Sequence, residues 1–334
     1  MKETGVWTLA WRRFKRDRLG VASLVVVVIY AAVMLAAASG LIVRNWGDEA
    51  GVSFAPPTFL GPEQESQQLA ASTDTQPVND YGIADPLAPD LAGIAKNLSG
   101  TAAGSEARAL TLPLGGDKWG RDVLRKAVKG TQTSLFIGLA AAALAVFIGT
   151  LFGALAGYRG GKVDDFFNWL YSVFTSIPYL LLVLSIAAVV NSKGVLPVIL
   201  ILGLTGWTGI FRLIRAEYMK HKVREYVMAA DAIGASNSRR MFIHILPNVS
   251  HVVLVQLSLH VVLFIKSEVV LTFLGFGVGV DTVSWGSMLA EAGTELLLGK
   301  WWQLTAATVF MAVLVTAFSL FTDAMRDALD PRLK

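Results

Sequence analysis

The sequence has no cysteine, only four histidines, and few charged residues for its length of 334. Without cysteine the chain can form no disulfide, no thiolate metal site and no thiol nucleophile. Cysteine content therefore does not indicate whether the protein works in an oxidising or a reducing compartment. The histidines, at positions 221, 244, 251 and 260, lack any close ligand spacing such as H-E-x-x-H. We therefore expect no metal site.

A phosphate-binding loop is also missing. The pair Gly161-Lys162 has Ala156 where the first glycine of such a loop belongs, and Val163 in place of Ser or Thr. The pair Gly299-Lys300 fails in the same way. We expect no cofactor in this chain, and any ATP would have to be bound by another protein.

Charged residues are scarce because apolar residues dominate. Hydrophobic residues make up 54% of the chain and charged residues 16%, against about 45–50% and about 25% in soluble domains. The apolar residues lie in long uncharged blocks, each near or above the ~20 residues that cross a bilayer. The six predicted spans are 20–43, 130–158, 166–192, 194–211, 249–265 and 301–322.

The positive charge lies beside the spans. Six basic residues precede the first span, which predicts a cytoplasmic N-terminus, and they are Lys2, Arg12, Arg13, Lys15, Arg16 and Arg18. A cleavable signal peptide is the alternative, but a 24-residue block exceeds the roughly 7–15 residues of a signal core. The basic residues form no continuous stripe of the kind that binds nucleic acid. We therefore expect the net charge of +4 to interact with lipid headgroups and partner proteins.

Between the first two spans lies a long polar segment. Residues 44–129 contain paired prolines and an acidic, Gln/Ser/Thr-rich run from 63 to 85. This composition predicts an extracytoplasmic insertion with little core of its own. A capped interfacial helix is expected from 121 to 129, and the small residues of the second span predict a central, closely packed helix.

A polar hairpin, residues 212–248, separates the fourth and fifth spans. Its first arm reads as a short helix that ends near Gly234, where a turn is expected. Ser236 or Asn237 can cap a second short helix carrying Arg239 and Arg240, and Pro247 marks its end or the start of the next apolar segment.

The hairpin resembles the EAA loop of ABC importer permeases. Glu225, the pair Ala229-Ala230, Gly234 and Pro247 all stand in the positions of that loop. The closest likeness is to the C-type permease of the dipeptide, oligopeptide and nickel transport family. The resemblance implies that the hairpin lies in the cytoplasm and docks into a cleft on a separate ATP-hydrolysing subunit, with Arg239 and Arg240 meeting acidic partner groups or lipid headgroups.

Other motifs support the same resemblance. Residues 114–124 are similar to the family's LGTD-x-x-GRD-x-L, with Gly116 in place of Thr, and residues 268–277 are similar to E-A-x-L-S-F-L-G-L-G. Residues 323–332 resemble the family's terminus. Pro178 stands in a similar x-x-P-x-L-L-L segment and should bend the third span, but Trp169 and Ser172 replace an Arg and an Asp, so an ion pair is expected to be missing.

The resemblance covers 114–334 well, 1–43 loosely and 44–113 not at all. It implies an all-α integral membrane protein with six transmembrane helices of the type I ABC importer permease kind. The domains would be 1–43, the insertion 44–129, and a five-helix core 130–334. The implied partners are a sister permease in a heterodimer, two ATPase subunits that bind ATP and Mg, an extracytoplasmic solute-binding protein, and lipid of the bacterial inner membrane.

The expected function is import of peptides or peptide-like solutes, without enzymatic activity. A nickel or oligosaccharide importer of the same family is an alternative, and so is a secondary transporter driven by an ion gradient. The latter needs an intramembrane carboxylate, for which Glu268 is the candidate. We expect Glu268 to belong to the translocation path or its gate, or else only to pack near the outer end of its helix. A membrane-embedded enzyme would need paired catalytic residues, and none pair up.

Overall fold

The computed structural model describes residues 11–62 and 108–329. The acidic run 63–85 and the last part of the terminal motif, 330–334, lie outside the described residues. Within those ranges the chain is helical, and strand-type pairing is limited to isolated bridges. The helices are α1 (Arg18–Ala38), α2 (Val123–Arg159), α3 (Gly161–Thr175), α4 (Tyr179–Val190), α5 (Val195–Thr205), α6 (Thr208–Lys222), α7 (Glu225–Ala232), α8 (Asn237–Arg239), α9 (Leu246–Phe273), α10 (Trp285–Leu297) and α11 (Trp302–Leu329).

Four helical segments are long and apolar enough to cross a membrane by themselves: α1, α2, α11 and residues 237–273. Two bent pairs, α3 with α4 and α5 with α6, would raise the number to six if each pair is one span. The all-helical membrane fold is therefore confirmed, with four to six spans in the described residues. The bend between α3 and α4 is 84°, and it confirms the role expected of Pro178, whose extended ψ of 131° starts α4 in a new direction.

The helix α2 lies at the centre, as predicted. Its glycines face α6 so closely that a Cβ on Gly157 would stand 2.5 Å from the backbone oxygen of Arg215, and one on Gly149 would stand 2.8 Å from that of Trp207. The expected interfacial helix 121–129 is not separate. It forms the first turns of α2, whose N-terminus Asp122 caps, because no glycine turn or proline interrupts the run before Gly160.

The two described flanks of the polar insertion pack against each other at the outer end of α2. Gly51 donates a hydrogen bond to the backbone oxygen of Gly120 at 2.9 Å, and Gly116 donates to that of Ala55 at 2.7 Å. Gly120 has a φ of +76°, and a Cβ there would stand 2.0 Å from the oxygen of Gly51, so only glycine fits. Ala55 is fully buried, so these flanks pack more closely than their composition suggested.

The helix α10 was not predicted from the sequence. The segment from Ser284 was interpreted as an outer loop, but it begins with a reciprocal capping box between Ser284 and Ser287. The helix packs against α2, α9 and α11. It brings Trp285, Glu291 and Glu295 to the outer end of α2.

Candidate functional site

The hairpin that joins α6 to α9 has two arms of different construction. The first arm is α7, and the second begins with α8 and runs through six π-helical residues, Arg240–Ile245, directly into α9. Leu246 donates to the backbone oxygen of Met241, five residues back. Pro247, at the second position of α9, has no N–H to donate to the carbonyl four residues back, and its ring would clash with that carbonyl in a regular α-helix. The wider π-helical turn before it removes this clash. The second arm is therefore an extension of the fifth predicted span.

Gly234 forms the turn between the arms, as predicted. Its φ is +82°, which favours glycine. Its N–H donates to the backbone oxygen of Asp231 at 2.8 Å, and Ala235 donates to that of Ala230 at 3.0 Å. This pair of bonds is a Schellman motif. Ser236 then caps the second arm by accepting from the Arg239 N–H at 3.3 Å.

One face of the hairpin is fixed to the membrane core. Val227, Ala230, Met241 and Ile245 are each less than 5% exposed. The hydroxyl of Tyr218, which is itself buried in α6, donates to the backbone oxygen of Met241 at 3.2 Å. A displacement of the hairpin would therefore move α6 and α9 with it.

The opposite face is exposed and mixed in character. Met228 is 54% exposed and Ile233 84% exposed, an unusual position for such large apolar side chains in a polar loop. Glu225, Ala229 and Arg239 are also exposed. Of the expected docking residues, Glu225, Ala229, Arg239 and Pro247 thus reach the surface, and Ala230 faces the core.

Arg240 points inward, unlike the outward contact expected for it. It forms an ion pair with Asp231 of the first arm and donates to the side-chain oxygen of Asn237 at 2.6 Å. Its guanidinium lies 5.9 Å from the ring centre of Tyr158 at the end of α2. Arg240 therefore braces the two arms of the hairpin against α2.

A second ion pair joins α3 to α6 next to the hairpin. Arg215 donates to both carboxylate oxygens of Asp164, at 2.5 and 2.6 Å, which is the bidentate geometry of a strong pair. The replacement of family residues by Trp169 and Ser172 had suggested a missing ion pair. Asp164 and Arg215 supply one across a separation of 51 residues, which local sequence does not reveal.

Glu268 is completely buried where α9 meets α2 and α10. One of its oxygens accepts from the Ser134 hydroxyl at 2.8 Å, and the other accepts from the Thr272 hydroxyl at 2.9 Å. The Ser134 oxygen in turn accepts from the backbone N–H of Trp285 at 3.2 Å. Glu268 thus ties three helices together, and it does not line an open cavity in this conformation.

A buried cluster of charges at the outer end of α2 was missed from the sequence. Lys126 is 1% exposed, and its ammonium donates to Asp117 at 2.7 Å, to Glu291 at 2.6 Å and to Gln303 at 3.1 Å. Glu295 lies beside them, and burial raises the pKa of its carboxyl to about 7. The sequence contains little signal for it, because Lys126 stands between two other basic residues, Arg125 and Lys129, in the first turns of α2.

In residues 11–62 and 108–329, no group of three His, Cys, Asp or Glu side chains is arranged to hold a metal ion. The described charged clusters are instead ion pairs and hydrogen-bond networks between helices. They can transmit or resist movement between helices.

Comparison with known proteins gives two family matches. Residues 149–334 match the family described as binding-protein-dependent transport system inner membrane component. Residues 5–57 match the family described as the N-terminal TM domain of oligopeptide transport permease C. The two matches lie on either side of the polar insertion.

Named relatives agree with these matches. The chain is 36% identical over 220 residues to a dipeptide transport system permease protein, DppC, of Bacillus subtilis. The aligned region covers 66% of this chain and 68% of the relative. The oligopeptide transport system permease protein OppC of the same organism is 36% identical over 220 residues, 66% of this chain and 72% of that one. A di/tripeptide transport system permease protein, DppC, of Pseudomonas aeruginosa is 34% identical over 231 residues, 69% and 75% of the two chains.

The family match covers more than half of the chain and includes the hairpin, Glu268 and the last three helices. Its members are permeases and not enzymes, and the apolar helices described above suit a membrane-embedded subunit. This chain is a multi-pass permease subunit of the bacterial inner membrane, and it belongs to the binding-protein-dependent transport system inner membrane component family.

Proposed function

We propose that the chain is the permease subunit of an ATP-driven importer and forms part of the translocation path for peptides or peptide-like solutes. The relatives named above are permeases of dipeptide, oligopeptide and di/tripeptide transport systems. These names favour peptide cargo over the nickel and oligosaccharide alternatives. A sister permease, two ATPase subunits and a solute-binding protein complete the proposed importer.

The hairpin is the proposed joint to an ATPase subunit, and its geometry carries the proposal. One face is locked into the core through Tyr218 and the buried side chains of both arms, whereas the other face exposes Met228 and Ile233. Large exposed apolar side chains on a rigid element are typical of a protein interface. A push on this face reaches α6 and α9 together, because the second arm is continuous with α9.

Glu268 is proposed to hold the outer part of the path closed. Its hydrogen bonds to Ser134 and Thr272, and through Ser134 to Trp285, connect α2, α9 and α10. A movement of α9 that starts at the hairpin would strain or break these hydrogen bonds. Such a role differs from that of an ion-binding carboxylate in a secondary transporter, which needs access to water.

The outer side of the chain is the proposed contact surface for the solute-binding protein. The flanks of the insertion pack on the outer end of α2, and α10 packs beside them. We propose the boundaries 1–43, 44–129 and 130–334 as the N-terminal segment with its first helix, the extracytoplasmic insertion and the permease core, with the last residues of the insertion, 123–129, forming the first turns of α2.

The coupling role can be tested with two equivalent glycines. Gly234 and Gly299 both end a helix with a Schellman motif, have φ values of +82° and +77°, and leave open space around an added Cβ. They lie at opposite ends of the spans. Gly234→Asp should leave the subunit in the membrane but reduce co-purification of the ATPase subunits and abolish uptake of a radiolabelled dipeptide.

Gly299→Asp is the matched control, since it introduces the same charge and the same backbone strain away from the hairpin. It should retain the ATPase subunits at wild-type yield. If Gly234→Asp co-purifies with the ATPase subunits as well as Gly299→Asp does, and supports normal uptake, the hairpin is not the joint.

A further inference from the structure

A cavity of about 560 Å³ lies beside the hairpin, between α6, α9 and the end of α11. Its lining positions on α9 run from Asn248 to Leu259 at helical spacing, a distance of about 16 Å at ~1.5 Å per residue. No step of the proposed transport cycle uses it.

The cavity changes character along its length. The helix α6 runs toward the hairpin and α9 runs away from it. Late residues of α6 and early residues of α9 therefore lie at the hairpin end of the cavity, and early residues of α6 and later residues of α9 lie at the deep end. At the hairpin end the walls carry Lys220, Arg224 and Arg326, and at the deep end they carry Leu213, Val255 and Leu259. A ligand that fits must therefore be charged at one end and apolar at the other.

The charged end has an excess of positive charge. Glu217 is its one carboxylate, and Lys220 already donates to it at 3.2 Å. Within the described part of the chain, Arg224 and Arg326 form no ion pair with any carboxylate. Two guanidinium groups thus face the cavity without a counterion from this chain's described residues.

We propose that this cavity binds an anionic phospholipid of the cytoplasmic leaflet. Its phosphate lies between Arg224 and Arg326, and an acyl chain follows Leu213, Val255 and Leu259. Guanidinium groups suit phosphate oxygens in charge and geometry, and basic pockets between membrane helices on the cytoplasmic side are typical lipid headgroup sites.

A peptide leaving the path is the competing anionic ligand, because it carries a carboxylate. It also carries backbone polar groups along its whole length, and these need hydrogen-bond partners once they leave water. The deep end is lined mainly by leucine and valine side chains, and Gln256 is the one side-chain amide among its described lining residues, too few polar partners for a peptide backbone. The lipid therefore matches the cavity at both ends, and the peptide at one.

The lack of cysteine in the chain makes a direct test possible. Leu263 is 42% exposed and lies one helical turn beyond the deep end, so a fluorophore on Leu263→Cys would not fill the cavity. The importer, purified through a tag on this chain, is reconstituted in phosphatidylcholine vesicles. Increasing fractions of either brominated phosphatidylglycerol or brominated phosphatidylcholine are then added to quench the fluorophore.

Brominated phosphatidylglycerol should quench at a roughly 25-fold lower fraction than brominated phosphatidylcholine, since each of the two arginines contributes roughly fivefold. Arg224→Gln and Arg326→Gln should each remove about fivefold of this preference, and the double variant should remove all of it. Arg159→Gln, which removes another exposed cation outside the cavity, should leave the preference intact.

Equal quenching by the two lipids would overturn the proposal, and so would a preference that survives in the double variant. Relief of phosphatidylglycerol quenching by a millimolar dipeptide would assign the cavity to exiting cargo instead. The proposal assumes the cytoplasmic hairpin but not the identity of the cargo. If Gly234→Asp retained the ATPase subunits and normal dipeptide uptake, the coupling proposal would fail and the lipid proposal would still stand.

Discussion

Replacement of Lys126 by methionine should destabilise the protein more than a typical change of a charged residue does. The side chain of Lys126 is 2% exposed and that of its partner Asp117 is fully buried, whereas Glu291 is 32% exposed. Methionine fills a similar volume but leaves the Asp117 carboxylate without its counterion. Glu291 can turn toward water, so the buried Asp117 determines the cost.

Removal of one partner of a buried ion pair costs about 3–5 kcal/mol. One oxygen of Asp117 keeps two backbone donors, Trp119 and Arg121, each at 2.9 Å. We therefore expect a loss near the lower end, about 3 kcal/mol. For domains of about 150–250 residues 1 kcal/mol corresponds to about 2–4 °C in Tm, so in this larger chain the Tm should fall by at most about 6–12 °C.

The assay is thermal unfolding of the detergent-purified chain, followed by far-ultraviolet circular dichroism. Lys129→Met is the control one turn further along α2, because Lys129 forms no ion pair within the described residues and donates to Gln132 at 2.7 Å, so its loss should stay within about 0.5 kcal/mol. Addition of Asp117→Asn to Lys126→Met removes the stranded charge and should recover part of the lost Tm. A Tm for Lys126→Met equal to that of Lys129→Met, or a double variant no more stable than Lys126→Met alone, would refute the reasoning.

Three further predictions concern acidity, the gate and topology. Burial raises the pKa of Glu295 to about 7 from a value of 4.5, so its contribution to stability is complete below pH 4.5 and is lost as the pH rises to about 7. The Tm should therefore fall over this pH range in the parent, and Glu295→Gln should remove that fall. An unchanged profile of Tm against pH in the variant would argue against this role. Glu268→Gln should insert normally but reduce dipeptide uptake, because an amide nitrogen cannot accept one of the two hydroxyl hydrogen bonds that the Glu268 oxygens accept, a loss of about 1–3 kcal/mol, whereas transport equal to the parent's would exclude the role in the path. In intact spheroplasts an impermeant thiol reagent should label Ser72→Cys and not Ser238→Cys, and the reverse pattern would invert the topology.

Local signals allowed much of the site to be predicted from the sequence. The turn at Gly234 and the cap at Ser236 were predicted correctly because a Schellman turn and a helix cap each depend on residues within one helical turn. The bend at Pro178 followed from the missing N–H and the ring of proline. The helix that carries the fifth predicted span is longer than the predicted 249–265: it runs from 237 to 273, because π-helical widening lets it continue through the proline.

The sequence by itself determined the membrane class of this protein, its long apolar helices and the position of its polar hairpin. Each of these depends on composition, run length or short-range backbone chemistry. Only the tertiary structure decided that Lys126 is buried, that Arg240 turns inward, and that Asp164 pairs with Arg215. The reason is that their partners come from distant parts of the chain, as with Glu291, 165 residues after Lys126. Whether a charged side chain meets water, lipid or a counterion is set by which helices pack together, and no local pattern encodes that choice.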